Sequence, residues 1–178
     1  MTPQEASAAA AKVCLLAPVV PVLVVDDATI AADLARALVA GGLPALEVTL
    51  RTSAALDVIR EMATVEGGVV GEANDLPLLP GTATATEAMR LLERGYTVQK
   101  FFPAEANGGA PALKAIGAPI PQVKFCPTGG VSLANARTYL GLSNTLCVGG
   151  SWVAPKDKVQ SKDWAGITAL AAEAAGLA

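Results

Sequence analysis

The sequence predicts an α/β fold built on a parallel sheet. Two observations carry that prediction: β-branched apolar runs recur along the chain, and stretches with helical start and stop signals alternate with them. Length and composition agree. The chain has 178 residues, 52% hydrophobic and 16% charged, enough for one domain over residues 1–178 and too apolar for disorder.

Each element has a local reason. Thr2-Pro3-Gln4-Glu5 is a capping box with proline at the first helical position, so a helix opens there, and it lacks the basic start of a secretion signal. Residues 19–25 form a run with no polar alternation, the signature of a strand buried on both faces. Asp26-Asp27 offers an N-cap to a helix over 28–40, which Gly41-Gly42 ends. A strand at 45–50, a helix at 53–63 and short strands at 68–71 and 76–80 follow. Thr84-Ala85-Thr86-Glu87 repeats the capping box and opens a helix ending at Gly95. Strands at 97–102, 123–127 and 145–148 alternate with helices near 109–116, 133–140 and 164–177.

One junction breaks this order. Between the strands at 68–71 and 76–80 lie only Glu72-Ala73-Asn74-Asp75, whereas a parallel crossover needs roughly a dozen residues or more. Four residues close an antiparallel hairpin, or else a segment between Gly71 and Asn74 is missing. The second reading is favoured.

Composition narrows the chemistry. The chain has no histidine, which removes Ser-His-Asp and Cys-His systems, His-ligated zinc and the usual general base near neutral pH. With 13 basic and 16 acidic residues there is no basic stripe, and no aromatic platform, for nucleic acid. Cys14, Cys126 and Cys147 sit apart in apolar runs, as reduced core residues do, which points to the cytoplasm and away from disulfides or a metal cluster. No uninterrupted apolar stretch reaches membrane-spanning length.

Candidate site residues lie at strand ends. Glu47, Thr49 and Arg51 alternate with Leu46, Val48 and Leu50, which puts the polar side chains on one face and the apolar ones on the other. They are either a structural Glu–Arg pair at a strand edge, or a carboxylate acid/base beside a guanidinium that holds an anionic substrate. Lys100 sits late in a strand before Phe101-Phe102-Pro103. Desolvation there favours a free amine that attacks a carbonyl, while a stem that packs with its head in solvent is the structural alternative. Lys124, in Lys124-Phe125-Cys126-Pro127, has a similar setting, and periodicity does not choose between the two. Thr128-Gly129-Gly130 and Gly149-Gly150-Ser151 each follow an apolar strand, where bare amides and a hydroxyl cradle phosphate; the turns after the last two strands are where (β/α)₈ barrels usually bind it. Asn107-Gly108-Gly109 is read as loop geometry.

Together, Leu46-Glu47-Val48-Thr49-Leu50-Arg51-Thr52, Lys100-Phe101-Phe102-Pro103-Ala104-Glu105, Phe125-Cys126-Pro127-Thr128-Gly129-Gly130 and Val148-Gly149-Gly150-Ser151-Trp152 resemble the bacterial 2-keto-3-deoxy-6-phosphogluconate aldolases, which also cleave 4-hydroxy-2-oxoglutarate. The resemblance runs over nearly the whole chain. It implies a (β/α)₈ barrel, commonly a homotrimer, and a class I lyase of the Entner-Doudoroff pathway that needs no metal or other cofactor. It matches the Schiff-base lysine to Lys100 and the acid/base glutamate to Glu47. It assigns the substrate carboxylate to Arg51, and the phosphate of a phosphorylated keto acid to Thr128, Gly129, Gly130, Gly149, Gly150 and Ser151. It also sharpens the short junction: family members carry Gly-Ala-Gly-Thr, a helix, a strand ending Ser-Pro-Gly and another helix where this sequence passes from Gly71 to Asn74. One βα stretch after Gly71 is therefore expected to be missing, either from the 178 residues alone or by a true deletion. Two other functions fit the same barrel: a sugar-phosphate isomerase or epimerase, and a non-catalytic phospho-ligand binding protein.

Overall fold

The computed structural model describes residues 1–69 and 77–177. The expected short junction, together with parts of both strands flanking it, lies outside them. The fold is α/β, and its strands form two three-stranded sheets in the orders β2-β1-β6 and β3-β4-β5. The chain divides into two compact units, Met1–Leu15 with Gly71–Gly149, and Leu16–Val70 with Gly150–Ala178.

In the first unit, α1 (Pro3–Cys14) has both halves of the predicted capping box. Ala6, Ala10 and Cys14 repeat every four residues and form its buried stripe. The buried Ser7 hydroxyl of α1 accepts the Thr97 N–H at 3.0 Å, just before β4 (Val98–Phe101). β3 (Gly81–Thr82), β4 and β5 (Lys124–Pro127) pair in parallel, with Gly81 opposite Lys100 and Lys100 opposite Cys126. Phe101, Phe125 and Leu113 of α5 (Gly109–Gly117) supply large buried side chains. Gln99 is wholly buried, and its Nε2 donates to the carbonyls of Ala88 and Tyr96, each at 3.0 Å, which ties β4 to α4 (Ala85–Glu93).

In the second unit, α2 (Ala31–Ala40) buries Leu34, Ala35 and Leu38 against α3 (Ala55–Met62) on one side and α8 (Trp164–Ala175) on the other. The fit against α8 is close: a Cβ on Gly41 would stand 2.4 Å from that of Ala171. The Thr168 hydroxyl donates to the Ala37 carbonyl at 3.0 Å. β1 (Val19–Leu23) and β2 (Glu47–Val48) pair in parallel, Val22 opposite Glu47 and Leu23 opposite Val48.

Several expectations are corrected. β1 stops at Leu23, alternates buried with half-buried positions, and is followed by Val24 at 57% exposure, so it does not have two buried faces. Asp27 caps a 3-10 turn, Ala28–Ile30, before α2 begins, because its carboxylate takes the Thr29 N–H at 2.9 Å. The strand at 45–50 shrinks to β2 with an isolated bridge from Ala45 to Val69. Leu50, expected on the apolar face of a strand, lies past its end and is 71% exposed because the chain has already turned. Residues 77–80 are not strand; the pairing with β4 falls on Gly81–Thr82, since the run Pro77-Leu78-Leu79-Pro80 begins and ends on residues that cannot donate to a ladder. The last strand shifts to β6 (Val148–Gly150), and Thr145 makes only an isolated bridge to Phe125. α7 (Lys156–Gln160) was not anticipated; five residues are too short to show a period. α6 (Leu133–Leu140) and the Thr84–Glu87 box of α4 agree with the sequence.

Candidate active site

Lys100 is the third of four residues in β4 and is half-buried. Register partners in a parallel pair present their side chains to the same face, so Gly81 and Cys126 flank it. The two flanks differ. Among the described residues, nothing stands within 4 Å of where a Gly81 side chain would be, whereas Cys126 is packed at 3% exposure. The backbone is fixed on both sides, with Lys100 N–H on the Pro80 carbonyl at 2.8 Å and Thr128 N–H on the Phe101 carbonyl at 2.9 Å. Lys100 thus stands on a strand whose backbone is paired on both sides. Lys124 begins β5, and its Nζ donates to the Ser143 carbonyl at 2.9 Å.

Cys14, Cys126 and Cys147 are buried thiols. Hydrogen bonding with the Cys14 thiol, with burial adding to it, pushes Cys126 up to about 12. Contact with the Cys126 thiol likewise raises Cys147. Both stay protonated at neutral pH, so they are packing groups and not nucleophiles. Among the described residues no group of three or more His, Cys, Asp or Glu side chains is arranged to hold a metal ion.

The Thr128–Gly130 turn closes the same end of the sheet. Its carbonyls at Thr128 and Gly129 take the N–H groups of Ala104 and Glu105 at 2.8 and 3.0 Å, which brings the turn against the chain leaving β4. Gly129 and Gly130 have φ of +99° and +78°, two consecutive left-handed positions that favour glycine. Thr128 is 5% exposed and bridges Gly149 in parallel. A Cβ on Gly149 would stand 2.2 Å from Thr128 Oγ1, so glycine is required by that close approach. Lys100, Thr128, Gly129, Gly130 and Gly149 are therefore brought to one end of the first unit's strands. The Asn107-Gly108-Gly109 turn enters α5, Gly108 being its left-handed N-cap.

Glu47 and Arg51 belong to the second unit. Glu47 is half-buried in β2, while Arg51 lies exposed in the turn that follows. The polar residues of this stretch divide by task. Thr49 and Thr52 donate their hydroxyls to the Leu23 and Val25 carbonyls at 3.0 and 2.7 Å, pinning the stretch to β1, while Glu47 and Arg51 carry the charge. Gly150 is buried beneath the Trp152 indole, whose Cζ3 would meet a Cβ there at 1.7 Å, and Ser151 is exposed.

Sequence reasoning assigns no role to Gly81, Glu105, Asn135 or Tyr139. Tyr139 is 1% exposed and its hydroxyl donates to Glu105 Oε1. Asn135 accepts the Ser132 N–H at 2.8 Å and donates to the Gly130 carbonyl at 3.2 Å. The Ser132–Asn135 spacing of a capping box was a readable signal for Asn135.

The family model described as KDPG and KHG aldolase matches residues 10–73 and 68–170. A 2-dehydro-3-deoxy-phosphogluconate aldolase of Pseudoalteromonas atlantica is 46% identical over 192 residues, covering 88% of this chain and 89% of its own. The crystal structure of the 2-keto-3-deoxy-6-phospho-gluconate aldolase of Zymomonas mobilis superposes with a TM-score of 0.87 at 44% identity, covering 94% of this chain and 96% of its own. A KDPG aldolase of Legionella pneumophila, solved with pyruvate captured as a covalent carbinolamine, has a TM-score of 0.82 at 35% identity and covers 99% of each chain.

Proposed function

The chain belongs to the KDPG and KHG aldolase family, and from that premise we propose that it is a class I aldolase that cleaves 2-keto-3-deoxy-6-phosphogluconate to pyruvate and glyceraldehyde 3-phosphate. The same chemistry takes 4-hydroxy-2-oxoglutarate to pyruvate and glyoxylate. The observation that carries the reading is Lys100, held in β4 between its register partners Gly81 and Cys126, at the strand end where the Thr128–Gly130 turn lies.

The Lys100 amine adds to the C2 carbonyl, and loss of water gives the protonated imine. Glu47, directly or through water, takes the C4 hydroxyl proton as the C3–C4 bond breaks; the aldehyde leaves, and the bonding pair passes into the enamine. The same glutamate returns a proton to C3, and hydrolysis of the imine releases pyruvate. Arg51 pairs with the substrate carboxylate, and Thr128 to Gly130 with Gly149 to Ser151 hold the phosphate.

The finer architecture is part of this proposal: one catalytic domain over residues 1–178, a (β/α)₈ barrel short of one βα stretch, acting as a homotrimer in the cytoplasm. The parallel sheets and the likeness to solved KDPG aldolases support the barrel, and three reduced thiols suit a reducing compartment.

Borohydride trapping with pyruvate, followed by peptide mapping, tests the reaction class and the nucleophile together. The wild type should gain the mass of a reduced pyruvate adduct on Lys100, and Lys100→Ala should gain none. Trapping that survives this substitution would overturn the assignment, and a wild type that never traps pyruvate would favour an isomerase or a binding protein.

A further inference from the structure

The Thr128–Gly130 turn has no regular structure of its own, so its geometry has to come from neighbours. Two side chains one helical turn apart on α6 reach back to it. Asn135 donates directly to the Gly130 carbonyl at 3.2 Å. Tyr139 reaches it indirectly, through Glu105. The Glu105 stem occupies the space a Gly130 side chain would need, its Cβ and Cγ standing 2.7 and 2.6 Å from an ideal Cβ there. Its backbone N–H holds the Gly129 carbonyl at 3.0 Å. Its carboxylate is drawn toward Tyr139 and Gly109, with Oε1 3.4 Å from an ideal Gly109 Cβ.

A carboxylate this close to a phosphate cradle is an electrostatic liability unless its position is fixed. The Tyr139 hydroxyl fixes it. Burial, and then the hydrogen bond to Glu105, raise the phenol's pKa, so it remains a donor across the working pH range.

We propose that Tyr139 and Glu105 are positioning residues for substrate phosphate: the tyrosine holds the glutamate, and the glutamate's stem and backbone hold the Gly129-Gly130 turn in its anion-binding shape. The inference rests on the reading of that turn as the phosphate subsite. Neither residue need touch the reacting atoms.

The test compares Tyr139→Phe, Glu105→Ala and Glu105→Gln with wild type on the phosphorylated substrate, on unphosphorylated 4-hydroxy-2-oxoglutarate, and with inorganic phosphate as competitor. Losing a hydrogen bond to a charged group should raise KM for the phosphorylated substrate about tenfold in Tyr139→Phe, with a matching rise in the phosphate inhibition constant. Glu105→Ala should do the same. kcat, and KM for 4-hydroxy-2-oxoglutarate, should stay within about twofold, since the pyruvyl half lies elsewhere. Glu105→Gln keeps the stem and an acceptor and should remain near wild type. Equal rises in KM for both substrates, or a Tyr139→Phe protein with a wild-type circular dichroism spectrum and unchanged phosphate inhibition, overturn the proposal. Wild-type enzyme that inorganic phosphate does not inhibit overturns the phosphate subsite itself, a separate failure.

Discussion

Glu47 sits half-buried in a strand of two residues, held by that strand's parallel pairing with β1 and by its neighbours' hydrogen bonds. Thr49 and Thr52 tie the stretch to β1 through side-chain hydroxyls, so replacing the carboxylate alone leaves the scaffold standing. Glu47→Gln should therefore fold normally, still form the pyruvate imine, and lose about 10²–10⁴ in cleavage rate, the usual worth of a positioned acid/base group. A stopped-flow or coupled assay measures the rate and borohydride trapping measures the imine; a variant that cleaves at full speed removes Glu47 from the chemistry. The polar alternation that marks this stretch was legible because it departs from its apolar surroundings, but periodicity could not show that its two threonines are fasteners. The Tyr139–Glu105 hydrogen bond was illegible for a different reason. It joins residues 34 positions apart across a loop, and no local pattern encodes such a pairing.

Helix starts were read with more success than strands, because a cap is a local device. The Thr84 hydroxyl accepts the Glu87 N–H at 3.3 Å, while the Glu87 carboxylate accepts the Ala83 and Thr84 N–H groups, each at 2.9 Å, so five consecutive residues contain the whole interaction. Strand limits depend on a partner elsewhere in the sequence, which is why 76–80 slid to Gly81–Thr82 and 145–148 to Val148–Gly150. The α4 cap makes two measurable claims. Thr84→Ala should lower stability by about 1 kcal/mol in urea denaturation at pH 7. The backbone hydrogen bonds hold the Glu87 carboxyl below its ordinary value, so the folded state binds its proton less readily than the unfolded chain does. Stability from this group is then present above the ordinary carboxylate range and lost as pH falls through the lowered value. Glu87→Gln should accordingly be less stable than wild type at pH 7, with the difference shrinking on acidification; a difference that grows instead contradicts the assignment.

At the scale of the whole molecule, the family match and the chain's own geometry meet at one place. The family model aligns in two pieces, residues 10–73 and 68–170, which meet where the sequence places only four residues between two expected strands. The alignment with the Pseudoalteromonas enzyme runs over 192 residues, more than the 178 of this chain, so the relative has positions with no counterpart here. On either side of the junction the described pairings are parallel, Val69 with Ala45 and Gly81–Thr82 with β4. Eleven residues separate Val69 from Gly81, at the short limit of the dozen or so that a parallel crossover needs. The sequence therefore predicts that the protein made by the cell carries residues between Gly71 and Asn74 that these 178 lack. The measurement is a tryptic digest, because no lysine or arginine lies between Arg60 and Arg90 and the junction falls within a single peptide. The peptide spanning 61–90 should be absent as written and replaced by heavier products, with an intact mass clearly above 17.9 kDa. Recovery of that peptide unchanged would establish a genuine deletion. In that case the chain must close its sheet without the missing strand, and weakened stability and loss of pyruvate trapping are the expected consequences.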